Sequence, residues 1–114
     1  MGLKSSLGEI LKNIERAKRN TFTKKDVILV AATKTRSFNQ INEVYSLGIR
    51  HIGENRIQEA EGKFESFEEM PKITRRFIGH LQSNKINKFI KLFDTIDSID
   101  SYKLANKINT RIEQ

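Results

Sequence analysis

The sequence predicts an α/β protein in which an amphipathic helix precedes four strand–helix units that share one parallel sheet. An unbroken apolar run covers residues 27–32, and three shorter apolar segments with β-forming residues follow it. Amphipathic helical patterns separate these segments. The centres of the four segments are Ile28, Ile52, Phe77 and Ile96. Their spacings of 24, 25 and 19 residues match the length of a strand plus a crossover helix, which indicates parallel strands.

The first predicted strand, residues 27–32, organises the rest of the chain. Its six apolar residues lie between charged and polar segments, which is typical of a strand buried on both faces. Lys34 follows directly, at the carboxyl end where parallel α/β folds bind ligands. Desolvation or a neighbouring cation there can make a lysine a nucleophilic amine. The alternative is a solvated lysine just past a strand, as charged residues are mostly exposed.

The remaining elements follow from apolar periodicity. The first helix has its apolar residues on one face, as a packed helix does. Short apolar segments predict the other strands, and helical spacing predicts the other helices. The predicted strands after the first are 49–53, 75–79 and 95–98, and the predicted helices are 3–19, 37–47, 55–67, 84–93 and 101–112.

Length and cysteine content set limits on the kind of protein. The 114 residues predict one domain, 1–114, and the absence of cysteine excludes disulfides and thiolate metal sites. With two histidines, His51 in a strand and His80 after one, we expect no metal site. The apolar runs are too short to span a membrane and no export signal is visible, so we expect a cytoplasmic protein.

The net charge of +7 raises nucleic acid or another polyanion as a partner. The lysines and arginines are spread along the chain, however, and aromatic residues are not interleaved with them as on a stacking platform. A solvated basic surface therefore accounts for the charge. A basic α/β binding module for nucleic acid or another polyanion is the alternative function.

Polar residues follow each predicted strand, and parallel strands bring them to one rim of the sheet. Gly53 and Gly79 would let the backbone approach a ligand closely. The alternative is that Asn55, Ser83 and Ser98 are only helix caps. The candidate ligand-binding residues of this rim are Lys34, Asn55, His80, Ser83, Asn84 and Ser98.

Four segments, 30–35, 53–59, 77–85 and 98–105, resemble the pyridoxal phosphate homeostasis proteins, relatives of the N-terminal barrel of alanine racemase. The resemblance implies a parallel (βα)4 half of a TIM-type (fold-type-III) barrel, preceded by an N-terminal helix. It implies pyridoxal 5'-phosphate as cofactor, bound as a Schiff base on Lys34, with Asn55 the next pocket residue and Gly79–Lys85 along the same rim. It implies cofactor homeostasis with no established turnover, so racemase activity is not expected.

The chain is shorter than the family's barrel, since a full (βα)8 barrel takes about 250 residues. The resemblance places the phosphate-gripping turn and the arginine facing the pyridine nitrogen in the later strands. We therefore expect weakened cofactor binding. We also expect an open sheet, with residues 27–32, Phe77 and Ile96 needing a partner surface, and thus a homodimer or a missing C-terminal half.

Overall fold

Strands and helices alternate along the chain in the predicted order. The computed structural model describes residues 2–23, 25–64 and 70–114, so positions 65–67 of the predicted helix 55–67 lie outside the described residues. The observed order confirms the α/β fold class. The elements are α1 (Leu3–Arg19), β1 (Ala31–Ala32), α2 (Phe38–Ser46), β2 (His51–Glu54), α3 (Ile57–Lys63), β3 (Thr74–Phe77), a 3-10 turn (Ser83–Lys85), α4 (Ile86–Leu92), β4 (Thr95–Ile96) and α5 (Tyr102–Glu113).

The four strands form one sheet in the order β1-β2-β3-β4, and every neighbouring pair is parallel. One row of the register crosses the whole sheet through Ala32, Gly53, Arg76 and Thr95. Consecutive parallel strands that each lie beside the next are the arrangement of a (βα) barrel. The predicted (βα)4 architecture is therefore present.

The first strand is shorter than predicted, and the prediction that residues 27–32 are buried on both faces is wrong. Only Ala31 and Ala32 pair with β2. Val27 and Ile28 are 58% and 55% exposed. The reason is the register: among the described residues, β1 pairs with β2 on one side, and the ladder begins with Ala31 opposite Ile52, so residues 27–30 lie before it.

The hydrophobic core lies on one side of the sheet and joins α2, α3, α4 and α5 to β2 and β3. Phe77 is at its centre, 1% exposed, with its ring 5.2 Å from that of Phe93 and 5.9 Å from that of Phe89, both edge-on. Ile96 packs against the same cluster. The expectation that Phe77 and Ile96 need a partner surface inside a barrel is thus wrong, because both side chains belong to the helix layer.

The opposite face of the sheet carries polar side chains, since neighbouring residues of a strand point to opposite sides. Arg76, next to Phe77, donates from Nε to Nδ1 of His51 over 3.1 Å. Its Nη1 donates to both carboxylate oxygens of Asp97 over 3.2 Å. We call Arg76, His51 and Asp97 the inner-face network. His51, expected to be a packing residue, is a hydrogen-bond acceptor in this network.

The long first helix packs less than its amphipathic pattern suggests. Leu7 is its only buried residue, while Leu3, Ile10 and Leu11 are exposed. A cavity of about 500 Å³ is lined by Leu3 together with residues of β1 and α2, so the start of α1 leaves space beside the open edge of β1. Within the described ranges, no helix has both the length and the apolar character needed to cross a membrane.

The position of the core predicts that substitutions at two adjacent residues, Phe77 at the end of β3 and Ile78 after it, lower the free energy of unfolding by different amounts. Phe77→Ala should lower the free energy of unfolding by about 3–5 kcal/mol, because it opens a cavity in the aromatic cluster. Ile78→Ala should cost less than about 2 kcal/mol, because Ile78 is partly exposed on the other face. Urea denaturation measures both, and equal losses would contradict this assignment of the two faces.

Candidate functional site

Lys34 lies in the turn that follows β1, at the carboxyl end of the strand, and it is exposed. Thr33 before it is buried, with its hydroxyl on the helix side of the sheet. Lys34 follows Thr33 within a turn that the Arg36 N–H closes by donating to the carbonyl oxygen of Thr33 over 3.0 Å. Within the part of the chain that the structure describes, no hydrogen bond or ion pair engages the Lys34 ammonium group.

A buried ion cluster holds the residues around this turn. We call Thr33, Glu54, Glu59 and Lys63 the Glu54 cluster. The Glu54 side chain, at the end of β2, is 0% exposed. Nζ of Lys63, at the end of α3, lies 3.1 Å from each carboxylate oxygen of Glu54 and 2.8 Å from Oε1 of Glu59. The cluster therefore joins the ends of β2 and α3.

Both neighbours of Lys34 bind to this cluster. The carbonyl oxygen of Thr33 accepts a hydrogen bond from Lys63 over 2.7 Å, and the Thr33 hydroxyl donates to Glu54. The backbone N–H of Thr35 donates to Glu59. Thr35 has a φ of 63°, a left-handed conformation that is uncommon for a β-branched residue. The turn is thus fixed on both sides of Lys34.

The cluster holds two carboxylates and one ammonium group, so its charges are compensated in part. A buried carboxylate is costly unless it is paired and hydrogen-bonded, and Lys63 and Thr33 supply those partners to Glu54. The hydrogen bond from Lys63, aided by the Thr35 N–H, holds the pKa of Glu59 below its ordinary value, against the effect of burial. Glu59 therefore favours the folded state at neutral pH, and this contribution is lost as the pH falls through its lowered pKa.

Sequence reasoning missed this cluster. The Glu59–Lys63 pair has the i, i+4 spacing of a helical ion pair, which was a readable signal. The burial of Glu54 had no such signal, because it depends on groups from β1 and α3 that meet only in the fold.

The ends of β2 and β3 approach each other closely at the two glycines. A Cβ at Gly79 would lie 2.6 Å from Cβ and 2.7 Å from Cα of Asn55, so no larger residue fits there. A Cβ at Gly53 would lie 2.7 Å from Cδ1 of Ile78. Protein atoms occupy the space at both glycines. The approach of the backbone to a ligand at these positions stays a prediction.

Two of the predicted site residues, Asn55 and His80, line one cavity of about 270 Å³. It lies between the segments that follow β2 and β3, and it includes two cationic side chains. His80 and Ser83 line a neighbouring cavity of about 190 Å³, next to the start of α5. Lys34 and Asn84 line neither. The full lining of the larger cavity is Asn55, Arg56, Ile57, Gln58, His80, Gln82 and Lys85.

The serines of the rim make protein contacts, and Asn84 is exposed in the 3-10 turn. Ser98 donates from its hydroxyl to the carbonyl oxygen of Gly79 over 2.5 Å, which ties the end of β4 to the end of β3. Ser83 accepts from Nζ of Lys107 over 3.4 Å.

The alternative that Asn55, Ser83 and Ser98 are helix caps is wrong. The N-cap residues of the elements that follow are Arg56, Gln82 and Ser101. None of these three polar residues is therefore the N-cap of the element that follows it.

The Glu54 cluster yields a stability prediction. Lys63→Met should lower the free energy of unfolding by about 3–5 kcal/mol, because it leaves the buried Glu54 carboxylate without its cation. The double variant Glu54→Gln/Lys63→Met should lose less, since the fully buried position 54 then carries no charge. Lys88→Met is the matched control: Lys88 and its partner Glu61 are about half exposed, so the expected change is below about 1 kcal/mol.

Urea denaturation at neutral pH compares these variants. A double variant that is less stable than Lys63→Met would show that the charge of Glu54 is not what makes the loss of Lys63 costly.

Comparison with known proteins gives the relatives of the chain. No family model matches it. The pyridoxal phosphate homeostasis protein of a Synechocystis species is 42% identical over 88 residues, which are 77% of this chain and 40% of the relative. The Helicobacter pylori protein of the same name is 34% identical over 112 residues, 96% of this chain and 50% of the relative.

Solved structures agree with these sequence matches. PipY of Synechococcus elongatus, solved without PLP, has a TM-score of 0.81 and 34% identity over 96% of this chain and 46% of its own. The PLP-bound structure of PipY has a TM-score of 0.69 and 33% identity, over 87% of this chain and 46% of its own. The chain spans about half the length of these relatives. Sequence and fold together show that the chain belongs to the pyridoxal phosphate homeostasis protein family.

Proposed function

We propose that this chain binds pyridoxal 5'-phosphate as a Schiff base on Lys34 and takes part in cofactor homeostasis. The observation that carries the proposal is the exposed Lys34 amine at the carboxyl end of β1, in a turn whose two flanking residues are fixed by a buried ion cluster. The relatives' name and the PLP bound to PipY support it. The cytoplasmic location expected from the sequence stays a prediction.

The proposed bond needs no oxidant or reductant. The neutral Nζ of Lys34 attacks the aldehyde carbon, a C=N bond forms, and the aldehyde oxygen leaves as water with two protons from the nitrogen. This reaction binds the cofactor reversibly. We propose no turnover beyond it.

The polar rim suits an anionic, phosphorylated ligand. Arg56 and Lys85 line the cavity that Asn55 and His80 share, and such cations are the usual partners of phosphate oxygens. We propose Asn55 and His80 as the cofactor contacts nearest to this cavity. Ser83, Asn84 and Ser98 stay candidates on the same rim.

The first functional prediction is that Lys34 is labelled selectively by pyridoxal 5'-phosphate. Borohydride reduction followed by peptide mapping should find the modified lysine at position 34. The absorbance band of a protonated imine should be lost in Lys34→Ala and kept in Lys91→Ala, a control that removes an exposed lysine of α4.

Label spread evenly over surface lysines such as Lys4 and Lys91 would refute the Schiff base. In that case the basic module for nucleic acid or another polyanion would be the better function, and a fluorescent oligonucleotide should bind the wild-type chain and Lys34→Ala equally.

The second functional prediction concerns affinity. We propose that residues 1–114 form one domain that corresponds to the N-terminal half of the family's barrel and lacks the phosphate-gripping turn. Each charge-assisted hydrogen bond to phosphate that is absent removes about 1.5–3 kcal/mol, so the dissociation constant should be higher by orders of magnitude than that of a full-length relative. Parallel titrations of this chain and of PipY measure the difference. Equal affinities would contradict the weakening.

The third functional prediction concerns assembly. In the part of the sheet that the structure describes, β1 is an edge strand, and the apolar Val27 and Ile28 before it are exposed. Such edges pair with other chains. We propose that the chain forms a homodimer or associates with a C-terminal half of the barrel. Light scattering should give a mass above that of one chain, and a monodisperse monomer with sharp near-ultraviolet circular dichroism would contradict this.

A further inference from the structure

We propose that Glu59, together with the Glu54–Lys63 ion pair, is a positioning device that holds the Lys34 turn in the geometry that exposes its amine. This inference rests on the proposed function, since it concerns the same lysine. It extends that function to residues for which the structure, over its described residues, shows no hydrogen bond or ion pair with the Lys34 side chain.

The device holds the residue before Lys34 from inside the protein. Thr33 is buried, its carbonyl oxygen accepts from Lys63 over 2.7 Å, and its hydroxyl donates to the fully buried Glu54. Its N–H also donates to the carbonyl oxygen of Gly53 over 2.9 Å, which extends the β1–β2 ladder by one residue. The chain therefore enters the turn in a fixed direction.

The device holds the residue after Lys34 from the other side. The N–H of Thr35 donates to Glu59, and Thr35 has the left-handed φ of 63°. This conformation is unfavourable for threonine, so it needs a contact that selects it. Glu59 supplies that contact from the first turn of α3. Arg36 then donates its N–H to the carbonyl oxygen of Thr33 over 3.0 Å and closes the turn.

The two sides meet at one cation. Nζ of Lys63 binds Glu54 at 3.1 Å and Glu59 at 2.8 Å, so the contacts on Thr33 and Thr35 belong to one connected unit. Lys34 itself lies between two held residues and takes no part in the unit. The cluster thus acts on Lys34 only through the backbone, which makes its members positioning residues and not catalytic ones.

Substitution of Glu59 can test the positioning role separately from the stability of the fold. Its side chain is 23% exposed, whereas that of Glu54 is fully buried and Lys63 neutralises it. Removing Glu59 leaves the Glu54–Lys63 pair intact and frees the Thr35 N–H. Gln at this position keeps a side-chain oxygen that can accept from Thr35 while it removes the charge.

The experiment compares wild type, Glu59→Ala, Glu59→Gln and Glu61→Ala in the full chain. Glu61 is also on α3 but pairs with Lys88, away from the turn, so it is the matched control. With pyridoxal 5'-phosphate and borohydride, Glu59→Ala should label Lys34 about ten-fold more slowly, the effect of one lost charge-assisted hydrogen bond. Glu59→Gln should recover most of the rate, and Glu61→Ala should match wild type.

A second measurement needs no cofactor. Amide hydrogen exchange at Thr35 should be faster in Glu59→Ala and close to wild type in Glu59→Gln and Glu61→Ala. Wild-type exchange at Thr35, or wild-type labelling of Lys34, in a folded Glu59→Ala variant would overturn the positioning role. A wild-type chain that labels no lysine preferentially would refute the Schiff base itself, and the role with it. These two outcomes can be distinguished, because failure of the positioning role appears in Glu59→Ala and failure of the Schiff base appears in the wild-type chain.

Discussion

The buried ion pair between Glu54 and Lys63 is the interaction on which the candidate site depends. It places a carboxylate and an ammonium group where water is largely excluded, and such a pair is tolerated only with good geometry and further hydrogen bonds. The further partner comes from Thr33, so three elements, β1, β2 and α3, must be in register before the pair is satisfied. This need for β1, β2 and α3 to be in register makes the ion pair costly to assemble. It also fixes the turn that carries Lys34.

The fold class was predictable because it rests on local patterns. Apolar periodicity and segment spacing predict the element order and the parallel sheet, and the structure confirms both. The length of the first strand was not predictable in the same way. Val27 and Ile28 are apolar like Ala31, but burial depends on which elements lie opposite, and in the described part of the chain both side chains are more than half exposed. Likewise, the alternation of residues along a strand shows that Phe77 and its neighbours point to opposite faces, but it does not show which face the helices cover.

The candidate site was predictable in one respect, the place of Lys34 at a strand end. The Glu54 cluster was not, because a glutamate at the end of an apolar strand gives no sign that it is buried. Only the spacing of Glu59 and Lys63 indicated an ion pair. From the sequence, a role as helix cap was as plausible as a role in ligand binding for Asn55, Ser83 and Ser98. The structure excludes the capping role because other residues are the N-caps of the elements that follow. Hydrogen bonds between distant segments decide these assignments, and a sequence pattern does not encode them.

The inner-face network has a consequence for any surface that completes the barrel. Arg76 is held by His51 and Asp97 on the side of the sheet opposite the hydrophobic core. An apolar layer pressed onto this face would strip water from three polar side chains and return no hydrogen bonds, which is unfavourable. A matching surface must therefore bring polar groups or trapped water of its own. The inner-face network therefore favours association with a surface of complementary polar groups and disfavours association with a purely apolar surface.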